Sequence, residues 1–169
     1  MRAKKFTAAI VMAAIAAIGF APLANAAVRP TTAQKLQLQY LIEEEKLARD
    51  VYLYLAANVT TAKFSNIAKS EQTHMDQIAA VLKTYNYFNP TTTRAPGVFR
   101  DKTLQALYNT LIAQGSVDVA AAMQVGRDIE NLDIKDLQVM LKSTMPADMK
   151  LALDNLLKGS YNHLAAFNR

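Results

Sequence analysis

The stretch Glu43-Glu44-Glu45-Lys46-Leu47-Ala48-Arg49-Asp50-Val51-Tyr52 decides the fold, because a glutamate at its centre falls on the apolar face of a long helix. Leu38, Leu41, Glu45, Ala48, Tyr52 and Leu55 recur at spacings of three and four, the repeat that lines side chains along one stripe of an α-helix. Upstream, Thr31-Thr32-Ala33-Gln34 reads as a capping box, in which a hydroxyl and a Gln three residues later satisfy the first amides. A helix is therefore predicted from about Thr32 to Ala57. Downstream, Asn58 to Lys63 supplies a turn, and a second helix is predicted from about Phe64 to Tyr85. Its stripe is Ile67, Glu71, His74, Ile78, Leu82 and Tyr85, so two polar residues again point where a core should be.

Asn86 to Arg100 contains Pro90, Pro96 and Gly97 and reads as a loop. Asp101 begins a short helix through about Ala113, closed by Gly115. A connection of about thirty residues is too long for a hairpin and suits a crossover, which predicts that the second and third long helices run parallel. Ser116 can cap the third long helix, whose inward line is Val119, Met123, Gly126, Glu130, Asp133 or Ile134, and Leu137. A break near Asn131 fits the residues as well. Thr144 and Pro146 open the last helix, with Asp148 in a first turn where the dipole favours an anion. Met149, Leu153, Leu156, Ser160, His163 and Phe167 form its inward stripe. No useful strand alternation occurs, and no internal repeat. The predicted class is all-α: a four-helix bundle with a long crossover carrying a short extra helix between helices two and three.

The chain has 169 residues, 51% apolar and 20% charged, with no cysteine, which describes at most one ordinary globular domain. A formal net charge of +5 suggests nucleic acid until the amino terminus is set aside. Arg2, Lys4 and Lys5 precede an apolar run from Thr7 to Leu23 and then Ala24-Asn25-Ala26, the pattern of a secretory leader with a small-x-small cleavage site. Residues 1–26 are thus expected to be a signal peptide, residues 27–169 the domain, and the location periplasmic or secreted in a bacterium. The leader takes three of the 19 basic side chains and none of the 14 acidic ones, so the mature charge is +2 and the case for nucleic acid disappears. Gly19 and Pro22 interrupt a run already short for about 30 Å of hydrocarbon, so no stable membrane insertion is expected after cleavage. Without disulfides, packing, a bound metal or both must hold the exported chain. No phosphate-cradling glycine loop or nucleophile arrangement is visible, and hydrolase readings drop out.

The five glutamates are Glu43, Glu44, Glu45, Glu71 and Glu130, and the two histidines are His74 and His163. Solvating residues would scatter over outer faces, where this sequence uses Lys, Asp, Gln and Asn. A lone buried carboxylate takes up a proton, whereas several carboxylates and imidazoles around one cation satisfy one another. Glu71 and His74 form Glu-x-x-His, which puts both heads on one helix face within reach of one ion. Each residue also has a bland reading. Glu45 can belong to a solvated run, with Glu44 as the substitute ligand; Glu71 and His74 can be an internal ion pair; His163 can be a core histidine; Asp133 can be a helix cap. Tyr52 and Tyr161 read as core aromatics.

Taken together the segments resemble a known family. Glu45-Lys46-Leu47-Ala48 with Tyr52 is similar to the first ferritin helix, and Glu71-x-x-His74 to the second. These, with Ser70-Glu71-Gln72-Thr73-His74-Met75, Asp128-Ile129-Glu130-Asn131-Leu132-Asp133-Ile134-Lys135-Asp136-Leu137 and Gly159-Ser160-Tyr161-Asn162-His163-Leu164, resemble the uncharacterised ferritin-like family filed as domain of unknown function 2202. The resemblance implies metal ligation by Glu45, Glu71, His74, Glu130 and His163, with Asp133 able to add a carboxylate. It implies iron, as one ion or two, with manganese or zinc as alternatives, and Fe(II) oxidation or peroxide removal as the reactions. The departure is Ser160, which stands where enzymes with two Glu-x-x-His helices present the second Glu. A non-catalytic bundle that stores or senses a metal, or binds a partner protein, is the competing expectation, and a homodimer is compatible with both.

Overall fold

The computed structural model describes residues 28–59 and 61–169; the leader expected at 1–26 lies outside the described residues. Five helices follow in order: α1 (Thr32–Asn58), α2 (Ala62–Thr84), α3 (Lys102–Gly115), α4 (Val119–Met140) and α5 (Ala147–Phe167). There is no strand among the described residues, and no described helix is long and apolar enough to cross a membrane.

Local chemistry sets the helix ends. The Thr31 hydroxyl accepts from the Gln34 amide while the Gln34 side chain accepts from the Thr31 amide, closing the capping box in front of α1. Gln34 also donates to Ser143 Oγ and to the Thr144 carbonyl, which pins the start of α1 to the end of α4. Asp101 caps α3 by accepting from the Thr103 and Leu104 amides. Ser116 does not cap the following helix. Its hydroxyl donates back to the Ile112 carbonyl, and Asp118 takes the N-cap of α4 by accepting from the Ala121 amide. Gly115 is a packing residue rather than a left-handed stop, since a Cβ there would meet the Leu55 side chain at 2.8 Å. Helix α4 runs unbroken past Asn131.

Bonded pairs give the directions of the helices. Tyr52 reaches Gly126 and Glu130 while Gln34 reaches Ser143, so α1 and α4 are antiparallel. Arg49 bonds Gln72 and Gln39 bonds the carbonyl of Phe88, so α2 also runs against α1. Lys63 bonds the carbonyl of Ala166, His163 bonds Ser70, and Asn155 bonds Gln77, which makes α5 antiparallel to α2.

Two apolar clusters fill the interior. One gathers Tyr52, Phe64, Phe99, Leu104, Val125 and Phe167 among others, with the rings of Tyr52, Phe64 and Phe167 at centroid distances of 5.3 to 5.9 Å. The other gathers Leu38, Ile42, Ile78, Leu82, Leu137 and Leu153 with their neighbours. Along every long helix the two clusters are separated by the same polar level: Glu45 on α1, Glu71 and His74 on α2, Glu130 and Asp133 on α4, Ser160 and His163 on α5. Gly126, Glu130, Ile134 and Leu137 of the expected inward line of α4 are buried, and contacts with α3 widen that side at its start. Ala122, Val125 and Ile129 are buried, while Val119 is exposed and Met123 only half-buried. Tyr161 is exposed and is no core aromatic.

The connection between α2 and α3 is fastened to α1 by buried charge. Lys46 Nζ lies 2.5 Å from Asp50 and 2.9 Å from the Ala95 carbonyl, the Gly97 amide donates to Asp50, and Glu43 accepts from the Arg100 and Asp101 amides. Lys46 is 1% exposed, so removing its counterion strands a desolvated ammonium. Asp50→Ala is expected to destabilise the protein by about 3 kcal/mol or more. A shift in the urea midpoint equivalent to less than about 1 kcal/mol would contradict this account of the tether.

Candidate metal centre

Periodicity brings six ionisable side chains and a serine to one level of the helices. Glu71 and His74, three apart on α2, share a face, and the Glu71 carboxylate lies 2.7 Å from His74 Nδ1. The other oxygen of Glu71 approaches His163 Nδ1, from α5, to 2.9 Å. Neither that oxygen nor that nitrogen is aligned for a hydrogen bond. One ligand atom each from Glu71, His74 and His163 falls within 4.8 Å of the others, and all three residues are buried.

Glu45 and Glu130 flank this trio. Glu45 Oε2 is 3.2 Å from His74 Nδ1, and Glu130 Oε1 is 3.6 Å from His163 Nδ1. Glu45 is 2% exposed, so the solvated-run reading fails for it. Asp133 sits apart from the imidazoles. Its Oδ2 is bonded to the Ser160 hydroxyl, while its Oδ1 has no partner. It lies within α4 and caps no helix. His163 is not bonded to a backbone carbonyl; its Nε2 meets Ser70 Oγ at 2.9 Å, which leaves Nδ1 facing the carboxylates.

Two supporting residues, and a second role of Tyr52, escaped the sequence reading. Ser70 orients His163, and its place immediately before Glu71 was the available signal. Tyr52 is a core aromatic as expected, and its hydroxyl also donates to Glu130 Oε1 at 2.7 Å. Gly159 provides room for the His74 ring, because a Cβ there would collide with His74 Nε2 and Cε1. The two imidazoles stack with centroids 5.4 Å apart. Glu44, one residue from Glu45, pairs with neither imidazole and is also buried with an unpartnered oxygen.

Burial and charge set the protonation of the group. Burial pushes the carboxyls of Glu45 and Glu130 above their usual range, although His74 and His163 respectively pull them down. Burial would also raise Glu71, but its two imidazole neighbours outweigh it and hold that carboxyl below the ordinary value. Burial would lower both histidines; Glu45 and Glu71 instead push His74 up to about 11, and Glu130 and Glu71 push His163 up to about 9. Burial, with Asp136 and Asp133 nearby, raises Glu44 to about 9. Without a cation the centre is therefore held together by protons on its imidazoles, which a metal must displace.

A cavity of about 80 Å³ adjoins the carboxylate side of the group, bordered by Glu44, Glu45, Glu71, Glu130 and Asp133 and by leucines of α3.

Residues 34–169 match the family model described as Uncharacterized protein domain (DUF2202). The chain belongs to this family. It is 45% identical over 127 residues to Uncharacterized protein MJ0754 of Methanocaldococcus jannaschii, a span of 75% of this chain and 69% of that relative. The crystal structure of hypothetical protein MJ0754 from Methanococcus jannaschii DSM 2661 is similar with a TM-score of 0.80 at 42% identity, covering 82% of this chain and 79% of that one. All the carboxylates and imidazoles of the centre fall inside the DUF2202 match.

Groups whose folded pKa is raised stabilise the protein below their unfolded values and lose that contribution as pH climbs through the folded ones. For Glu44, His74 and His163 this loss runs from about pH 4.5 upward through 9 and 11. Glu71 acts oppositely, and only on the acid side. Chelator-treated protein is thus expected to melt about 5 °C or more lower at pH 9 than at pH 6, a change of roughly 1–2 kcal/mol. A flat or rising melting temperature over that interval would refute the protonated centre. Gly159→Ala is expected to displace His74 and weaken Zn(II) binding at least tenfold, read by competition with a chromophoric chelator.

Proposed function

We propose that this DUF2202 protein is an exported, ferritin-like metal-binding protein whose centre holds iron on Glu71, His74 and His163, flanked by Glu45, Glu130 and Asp133. The convergence of the buried trio within 4.8 Å carries the reading, because donor atoms crowd this closely in a dry interior only around a shared cation or proton. The donor chemistry fits: imidazole nitrogen with carboxylate oxygen suits iron, and also manganese or zinc. Orphaned oxygens on Glu45, Glu71 and Asp133 supply further ligand atoms, which favours a site able to take a second ion. The ferritin-like reading is supported by α2 and α4 both running against α1, with the long connection and α3 between them. A leader at residues 1–26 and a periplasmic or secreted location rest on the sequence pattern alone.

Bound iron would supply the electron transfer for Fe(II) oxidation or peroxide reduction. The chain's own part is to hold the donors and keep bulk water out. Tyr52 donates to Glu130, Ser70 holds the orientation of the His163 ring, and the apolar clusters close the level from above and below. One observation favours a second reading, a non-catalytic bundle for metal storage, sensing or partner binding. Ser160 offers a hydroxyl rather than a carboxylate and engages Asp133, which weakens one side of the centre. A homodimer is open to either.

Protein purified from its native compartment is expected to carry close to two metal equivalents if the site is a redox pair, and one if it is the weakened form. Glu71→Ala and His74→Ala are each expected to abolish rapid aerobic oxidation of added Fe(II). They should also remove the metal-dependent rise in melting temperature, worth about 2.7 kcal/mol at a free metal concentration one hundred times Kd. Identical melting curves with and without chelator would sink metal binding altogether, while unchanged oxidation kinetics in both variants would sink the oxidase.

A further inference from the structure

The cavity beside the centre is walled on one side by α3, the helix outside the four that carry the polar level. Leu104, Leu107 and Leu111 of α3 face Ala48 of α1 and Ile129 and Leu132 of α4 across it. Its other side is carboxyl: Glu44, Glu45, Glu71, Glu130 and Asp133 border it, with Asp128 at the rim, whereas neither imidazole does. Four of those residues, Glu44, Glu45, Glu71 and Asp133, carry an oxygen with no hydrogen-bond partner. Leu107 is half-buried and Leu132 and Asp128 are exposed, so the chamber meets the surface along the seam between α3 and α4. The wall is anchored at both ends, by the bonds of Glu43 to the amides that open α3 and by Gly115 packed on Leu55.

Size and chemistry limit what can occupy it. One water takes about 10–15 Å³ of such volume and benzene fills a cavity of about 150 Å³, so about 80 Å³ admits a molecule between the two. A ring of leucines rejects a hydrated ion of either sign, because a charge loses its water there without gaining a partner. A packing void of this kind weakens a core, yet the sequence leaves it open against the most polar level of the protein.

We propose that α3 roofs a chamber for a small, uncharged, weakly polar molecule of about two to four heavy atoms, which enters between Leu107 and Leu132 and meets the metal centre on its carboxylate side. This rests on the metal-centre reading above and assigns the substrate class and the selecting residues of that same site. Selection is by the width of the leucine gap and by the cost of stripping water from a charged molecule.

Xenon and nitric oxide are suitable probes, the first blind to metal and the second an uncharged diatomic that binds Fe(II). Crystals of the metal-free protein pressurised with xenon are expected to hold an atom among Leu104, Leu107 and Leu111, and Leu107→Trp is expected to expel it. At the exposed rim, Leu132→Trp is expected to leave folding and Fe(II) stoichiometry unchanged while slowing nitric oxide binding at least tenfold in anaerobic stopped flow. Azide, an anion of similar size, should bind slowly to wild type and variant alike. Fe(II) uptake with no xenon in the wild-type chamber, or with nitric oxide rates unchanged in both variants, would overturn the chamber and leave the metal centre standing. Xenon binding with no Fe(II) uptake would instead overturn the centre, and the delivery role with it.

Discussion

A layer of ionisable side chains lies between two dry hydrophobic clusters, and its internal charge compensation is the constraint on which the rest of the structure depends. Each long helix runs apolar, turns polar for one or two turns, and becomes apolar again at the same height. Carboxylates at that level have given up hydration and can be tolerated only with protons, imidazolium partners or a cation. Glu71 approaches both His74 and His163, and each imidazole also approaches a second glutamate, so the groups share partners rather than pair two by two. Polar satisfaction thus sets how the helices align along their axes, because a slip of one turn would bury a glutamate among leucines.

Helix α1 explains why three consecutive glutamates are all buried. Successive residues on a helix point about 100° apart, so a Glu-Glu-Glu run normally keeps at least one member in water. Here α2, α3 and α4 all pack on α1, and the connection before α3 covers what they leave. Glu43 is taken up by the amides that open α3, Glu44 faces the acidic side of α4, and Glu45 enters the centre. The same enclosure buries Lys46 and Asp50 as a pair. One short segment therefore fastens the connecting loop, borders the cavity and supplies a candidate ligand.

Much of this was legible from residue spacing. The three-and-four repeat located both stripes that meet at Glu45, Glu71 and His74, and the entire inward stripe of α5 from Met149 to Phe167 is buried as read. Where the reading went astray, a longer-range partner had overridden a local signal. Ser116 has the chemistry of an N-cap but its hydroxyl turns back to Ile112, leaving the role to Asp118. Gly115 looks like a helix stop and is small because Leu55 presses on it. The inward line of α4 was drawn for a helix with one buried side, and α3 gives it a wider one. Tyr161 follows a buried serine yet points to solvent and accepts from Gln138.

The sequence by itself determined the helical class, the caps of α1 and α3, and the residues with both the chemistry and the periodicity to face a common interior, because these depend on neighbours within a turn or two of chain. Only tertiary structure decided that Glu71 lies between two imidazoles, that Asp133 engages Ser160, that Ser70 and Gly159 position the histidines, and that α3 leaves a cavity against the carboxylates. Those facts depend on the depth and rotation at which separate helices meet. Helix periodicity specifies which face turns inward, whereas the packing of side chains from distant segments specifies which atoms on that face touch.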